Sequence, residues 1–384
     1  MEAYLDNSAT TVCSERAAEK MMEALRINFG NPSSLHMKGV YAERYLRESR
    51  AAVAKTLRCR EDEIIFTSGG TESNNLAIFG TVRKRKRMGK HVITTPIEHA
   101  SVANPFSYLE SMGYEVTYLP VDKDGIIDLH ALSEAVRADT VLVSIMHVNN
   151  EIGAVEPIEE AAGIIHSKNP DTYFHVDAIQ SYGKFRIYPD ETGIDLMSVS
   201  GHKIHGPKGS GFLFRRKGVL IDPIILGGGQ EGGMRSGTEN VPAIAGLGAA
   251  AVDMYKDIDG VRKNLFSLKE RFVKEILETK GCHINGKYDE TSAPQIISVS
   301  FDDVRAEVML HALEDRGVYV SSGSACSSNR PAVSRTLKAI GVDKKYLDST
   351  VRFSLSPYNT EEEIDYAVKC VRELLPILGK FKRH

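Results

Sequence analysis

The most constraining feature of this chain is an alternation of short, apolar, β-branched runs with helical stretches through its first two-thirds. Residues 63–67 (EIIFT) read as a strand, followed by a Ser68-Gly69-Gly70 turn and a helix from Thr71 to about Met88. Residues 91–95 (HVITT) form the next strand, with a helix over 100–112 behind it. Further strands are predicted at 114–119, 140–146, 172–176 and 195–200, and a helix over 157–168 with Pro157 in its first turn. The run 140–146 (TVLVSIM) is apolar throughout, as expected of a strand buried on both faces. Repeated strand–helix alternation predicts an α/β fold, a mostly parallel sheet between layers of helices.

The last third changes character. Residues 252–280 read as one long charged helix, and 295–301 (QIISVSF) and 351–355 as strands. Ala306, Leu310 and Leu313 make one apolar helix stripe. Thr360 and Glu363 form a capping-box pattern that opens a helix with Ile364, Val368, Val371 and Leu375 on one face. These elements predict a smaller α+β unit, with the boundary in the helical segment after about residue 250.

Composition narrows the function classes. Forty-eight Lys and Arg against 51 Asp and Glu leave a net charge of −3, without the basic excess of a nucleic-acid or membrane-surface binder. No apolar run reaches the about 18 residues of a membrane span. The start, MEAYLD, lacks the pattern of a secretory signal, which makes the cytoplasm the expected compartment. The five cysteines (Cys13, Cys59, Cys282, Cys326, Cys370) are far apart and form no CxxC pair.

Some motifs lose their first meaning on inspection. Residues 83–87 (RKRKR) end a predicted helix, where cations complement the dipole, and read as a solvated face. Gly227, Gly229 and Gly232 match GxGxxG, but no helix follows, so a dinucleotide site is rejected. His202 and His205 have no further ligand types nearby, and no metal site is expected.

Three segments converge on one chemistry. Ser200-Gly-His-Lys203 follows a strand, and a lysine placed there can form a Schiff base with a carbonyl cofactor. Asp177 stands at the carboxyl end of another strand, where ligands of open α/β sheets bind. A partly buried acid there needs a cationic partner, and a protonated pyridine nitrogen is one. Ser68-Gly-Gly-Thr71 turns from strand into helix, where backbone N–H groups form an anion site. An anion cradle, an acid and a lysine together are what pyridoxal 5'-phosphate requires.

With these residues in view, the sequence resembles the cysteine desulfurases of the NifS/IscS type, in the class V aminotransferase group of fold-type I pyridoxal-phosphate enzymes. The resemblance runs nearly end to end. Its carrying stretches are 4–11 (YLDNSATT), 31–36 (NPSSLH), 67–76 (TSGGTESNNL), Glu98-His99, 147–153 (HVNNEIG), 175–180 (HVDAIQ), 200–209 (SGHKIHGPKG), 227–238 (GGGQEGGMRSGT), 321–327 (SSGSACS) and 351–355 (VRFSL). It implies a large cofactor-binding domain over 15–255. A small domain would be built from 1–14 and 256–384 and carry the catalytic cysteine loop.

The resemblance also implies roles. Lys203 holds the cofactor and moves protons, Asp177 pairs with the pyridinium nitrogen, and Gln180 bonds the ring hydroxyl. His99 stacks on the ring and serves as an acid/base, with Asn150 beside the ring. Gly70, Thr71, Ser200 and His202 hold the phosphate, joined by Thr238 from the other subunit of a homodimer. Arg352 clamps the carboxylate of L-cysteine bidentately, helped by Asn7. Cys326, in a small and polar setting, is the nucleophile that takes the sulfur as a persulfide and leaves L-alanine. The sulfur then passes to an acceptor such as an iron–sulfur scaffold or a tRNA-thiolating enzyme.

Two departures stand out. Gly70 occupies a position where many relatives carry Ala. The chain stops at His384, soon after the final helix, where housekeeping IscS-type members have a longer docking tail, which leaves the acceptor open. A selenocysteine lyase or aminotransferase on the same frame is the first alternative. Cys326 argues against the aminotransferase, which needs no nucleophilic thiol. A non-catalytic scaffold is the second alternative, and Lys203, Asp177, His99 and Cys326 together argue against it.

Overall fold

The computed structural model describes residues 1–322 and 333–380. Its centre is a seven-stranded sheet. From edge to edge the strands are Ile64–Thr67, Gly211–Arg215, Leu196–Ser200, Tyr173–Asp177, Thr140–Met146, His91–Thr94 and Glu115–Tyr118. The last five run parallel, and Gly211–Arg215 is antiparallel to both of its neighbours. Strand Ile64–Thr67 therefore points the same way as the parallel set, and its end delivers Gly70 beside Ser200. That approach depends on Gly211, where a Cβ would lie 2.5 Å from Val199 O and 2.7 Å from Gly69 Cα.

Every residue of Thr140–Met146 is buried, as its unbroken apolar run requires. Between this strand and His91–Thr94 the connection order reverses. That is the switch point at which open α/β sheets bind ligands, beyond the carboxyl ends of the strands. Phe174, Phe212 and Phe214 are fully buried beneath the helices of the main core. Each contributes roughly 1.5–3 kcal/mol relative to exposure.

A second core lies under a three-stranded antiparallel sheet of Thr350–Ser354, Ile296–Phe301 and Cys282–Asn285. Helices Ile258–Leu277, Ala306–Glu314 and Glu361–Leu378 contribute to that core. The last opens on the anticipated capping box, with Thr360 accepting from Glu363 N, and buries Ile364, Val368, Val371 and Leu375. The N-terminus joins this unit. Ala3–Tyr4 pairs in parallel with Val318–Tyr319, and Asp6 bridges Ser354.

Three expectations need correction. The single helix read over 252–280 is two helices, Val241–Lys256 and Ile258–Leu277. Asp257 breaks them at φ −144°, ψ 59°, and its carboxylate caps the second by accepting from Gly260 N. Pro157 is the N-cap of Ile158–Lys168 and lies just outside its first turn. In the basic run, Arg85 is buried over the Tyr173 ring, 4.1 Å from its centroid, so only its neighbours form a solvated face.

Candidate active site

At the carboxyl ends of the large sheet's strands lies a cavity of about 300 Å³. Gly70, Thr71, His99, Asn150, Asp177, Gln180, Ser200, His202, Lys203 and Arg352, all singled out from sequence, line it. Asn7 and Thr238 do not. Asn7 is buried, and its amide nitrogen donates to the carbonyls of Tyr4 and Ser354, each at 3.0 Å, which ties the N-terminal segment to the small sheet. Thr238 is exposed. Cys326 lies outside the described residues.

Asp177 is the last residue of its strand and only 3% exposed. Its Oδ1 accepts from Ile179 N at 3.0 Å and its Oδ2 from Asn74 Nδ2 at 2.8 Å. Burial raises its pKa, partly offset by the Ile179 amide. A cation in the cavity would reverse that shift, and a protonated pyridine nitrogen is such a cation. The buried carboxyl of Glu98 sits nearby. It accepts from Met146 N at 2.8 Å and from Thr95 Oγ1 at 3.0 Å, and burial pushes its pKa well up.

His99 caps helix Ala100–Ser111 and accepts at Nδ1 from Ser101 N, 3.1 Å away. Asn74 Nδ2 donates to Ser101 Oγ at 2.8 Å, so the Ser101 hydroxyl proton turns to His99 Nδ1, 2.7 Å away. The network assigns the ring proton of neutral His99 to Nε2. Lys203 follows its strand in a 3-10 turn, Gly201–Lys203. Its Nζ donates to the carbonyls of Ser8 and of Ala9, the latter at 2.8 Å. Behind it, Lys184 is buried and donates to Lys203 O at 2.6 Å. Burial first, and the Lys203 charge second, push the Lys184 pKa down to about 7.

The phosphate end follows from the turn after Thr67. Helix Gly70–Lys84 starts at Gly69, at φ +148°, with no side-chain cap. Its first-turn N–H groups are therefore available to an anion, unlike those of helix Glu15–Arg26, which Ser14 caps. Ser200 and His202 flank this end. Burial first, then the lysine charges around it, push the His202 pKa down to about 4, so its ring is neutral near pH 7. A buried acid at a strand end, a lysine whose charge it senses and an uncapped helix start fit pyridoxal phosphate. Among the described residues no cluster of three or more His, Cys, Asp or Glu offers a metal site.

At the other end of the cavity, Arg352 comes from the small sheet. It donates from Nη1 to Asn150 O at 2.8 Å and from Nη2 to Asp6 Oδ1 at 2.8 Å. Sequence reasoning missed Asp6, Asn74, Ser101 and Lys184. Asn74, one helical turn from Gly70, and Ser101, in a cap position after His99, carried a local signal. Asp6 lies in the stretch 4–11 but, like Lys184, shows no local pattern that points to its partner.

Comparisons with known proteins agree on one family. The class-V aminotransferase model matches residues 3–367. Cysteine desulfurase IscS of Dictyoglomus turgidum is 43% identical over 375 residues, which span 97% of this chain and 94% of that protein. A solved structure described as a NifS-like protein superposes with a TM-score of 0.93 at 40% identity, covering 98% of this chain and 100% of its own. Another, described as SspA in complex with cysteine, gives 0.81 at 35% identity, covering 93% of this chain and 100% of its own.

Proposed function

This chain belongs to the class-V aminotransferase family, and on that footing we propose that it is a pyridoxal-phosphate-dependent cysteine desulfurase. It removes sulfur from L-cysteine, leaves L-alanine, and stores the sulfur as a persulfide on Cys326. The observation that carries this reading is the meeting of Lys203, Asp177, His99, an uncapped helix start and Arg352 around one cavity. The relatives named cysteine desulfurase support the substrate, as does the solved neighbour that holds cysteine.

Bound pyridoxal phosphate supplies an electron sink. Asp177 would hold a proton on the ring nitrogen of the bound cofactor and so keep that sink effective. Gln180 serves the ring hydroxyl, and its amide nitrogen is oriented by a 3.0 Å bond to Ser8 O. Gly70, Thr71, Ser200 and His202 would hold the phosphate, and in a homodimer Thr238 of a second copy would complete its cradle. Lys203 Nζ takes and returns protons. His99 offers its Nε2 proton. Arg352 holds the substrate carboxylate with Asn150 alongside. In the sulfur step one S–S bond forms to Cys326 and the substrate C–S bond breaks. The electron pair of that bond stays with carbon, which is then protonated.

Burial holds Cys59 and Cys282 as thiols, each pushed up to about 12, so neither is a ready thiolate. The four described cysteines are unpaired, which fits the reducing cytoplasm. The sulfur goes on to a protein acceptor, for which an iron–sulfur scaffold and a tRNA-thiolating enzyme are the two proposed classes. The test is the yield of L-alanine from L-cysteine by the holoenzyme under reductant. The expected result is steady L-alanine production, abolished in Lys203→Ala. A cofactor-loaded protein that makes no L-alanine contradicts the reading.

A further inference from the structure

Arg352 already has an anionic partner inside the protein. The Asp6 contact at 2.8 Å joins a guanidinium whose side chain is 6% exposed to a carboxylate that is 21% exposed. Asp6 touches only Nη2 of Arg352, and Nη1 is held by Asn150 O. Arg352 Nε is buried with no hydrogen-bond partner among the described residues. A carboxylate binds a guanidinium through one of two forks, Nε with Nη2 or Nη1 with Nη2. Nη2 belongs to both, and Asp6 holds one of its hydrogens. An arriving carboxylate must therefore displace Asp6 or share the guanidinium with a like charge.

Among the described residues, Glu151 is a second acid that senses the charge of this guanidinium. Its carboxylate accepts from Ser334 Oγ at 2.5 Å, and its pKa is raised by burial. Asp6 is thus the direct competitor.

We propose that Asp6 is a specificity-determining residue that competes with the substrate α-carboxylate for Arg352 and so limits how tightly carboxylate ligands are held. The proposal rests on Arg352 being the carboxylate clamp. Removing one member of a buried ion pair leaves the other charge uncompensated. Asp6→Asn therefore leaves a guanidinium that a ligand carboxylate satisfies alone. The α-carboxylate becomes more valuable in the variant than in the wild type, and the site loses its discrimination against weak carboxylate ligands.

The experiment titrates L-alanine, which carries the carboxylate but no thiol, onto cofactor-loaded wild type, Asp6→Asn and Arg352→Gln. Binding is followed by calorimetry and by the rise in Tm. The expected result is affinity about tenfold tighter in Asp6→Asn, the scale of one charge-assisted hydrogen bond. Its Tm rise with ligand should exceed that of the wild type, and binding should be lost in Arg352→Gln. Asp6→Ser gives the same comparison if Asp6→Asn folds poorly, and Asp6→Glu should restore wild-type affinity. Unchanged or weaker binding in Asp6→Asn, with binding lost in Arg352→Gln, overturns the proposal and makes Asp6 a support for Arg352. Unchanged binding in Arg352→Gln overturns the clamp reading itself, and this proposal with it.

Discussion

The two ends of the cavity are built differently. The cofactor end is made by one sheet, whose like-directed strands deliver short runs of residues at the same edge: Gly70, Thr71, Asp177, Ser200 and Lys203. The substrate end is made where distant parts of the chain meet. Arg352 leaves the small sheet to reach Asp6, 346 residues away in sequence, and Asn150, 202 residues away. Residues 6–9 link the two ends, because Asp6 pairs with Arg352 while the carbonyls of Ser8 and Ala9 hold Lys203. A rigid sheet edge suits groups that must stay fixed on a cofactor. A junction between two cores suits groups that meet a ligand which comes and goes.

Substitutions can break this contrast. Asp177→Asn should lower kcat about 100- to 1,000-fold with little change in KM, because it removes charge stabilisation made at the reacting centre. Arg352→Gln should instead raise KM for L-cysteine about tenfold or more, since it removes a charge-assisted bond to a non-reacting group. Steady-state kinetics on both variants check this, and an interchange of the two patterns would erase the division of labour.

Gly70→Ala should have a smaller effect. A methyl there collides with Ile179 Cδ1, so the cradle must shift or Ile179 must turn. Overpacking of this kind costs about 1–3 kcal/mol. A lower Tm of the holoenzyme is expected, recovered by adding Ile179→Val. The same variant with an unchanged Tm would show the cofactor end to be more yielding than its packing implies.

The smallest expected effect is acid sensitivity at His202. Its folded pKa of about 4 lies below the about 6.5 of an unfolded histidine, so between these values the unfolded chain binds the extra proton. The stability associated with neutral His202 is present above pH 6.5 and is lost as pH falls toward 4. The cofactor-free wild type should therefore lose more Tm than His202→Gln between pH 7 and pH 5. Parallel losses would mean that His202 titrates normally.

The same contrast explains what was legible in the sequence. The cofactor end could be read because each of its pieces is local, a strand end followed by a turn, as in 68–72, 175–180 and 200–203. At the substrate end the resemblance marks Arg352 and Asn150, but the Asp6–Arg352 contact was not legible, because no periodicity joins the two residues. Asn7 was read as a substrate residue, yet its side chain binds the N-terminal segment to Ser354 O. Helices Glu15–Arg26 and Met37–Leu57 escaped notice, as did the first part of Val241–Lys256. The last is rich in Ala and Gly and almost wholly buried over 241–251, so it shows no apolar stripe. Arg85 was misread because a basic run does not show which of its members finds an aromatic ring.

The most direct test of the central claim is peptide mass analysis of the holoenzyme after brief exposure to L-cysteine without reductant. The account predicts one added sulfur atom on the peptide that contains Cys326, absent in Lys203→Ala. A cofactor-loaded protein that consumes L-cysteine while this peptide gains no sulfur would contradict it.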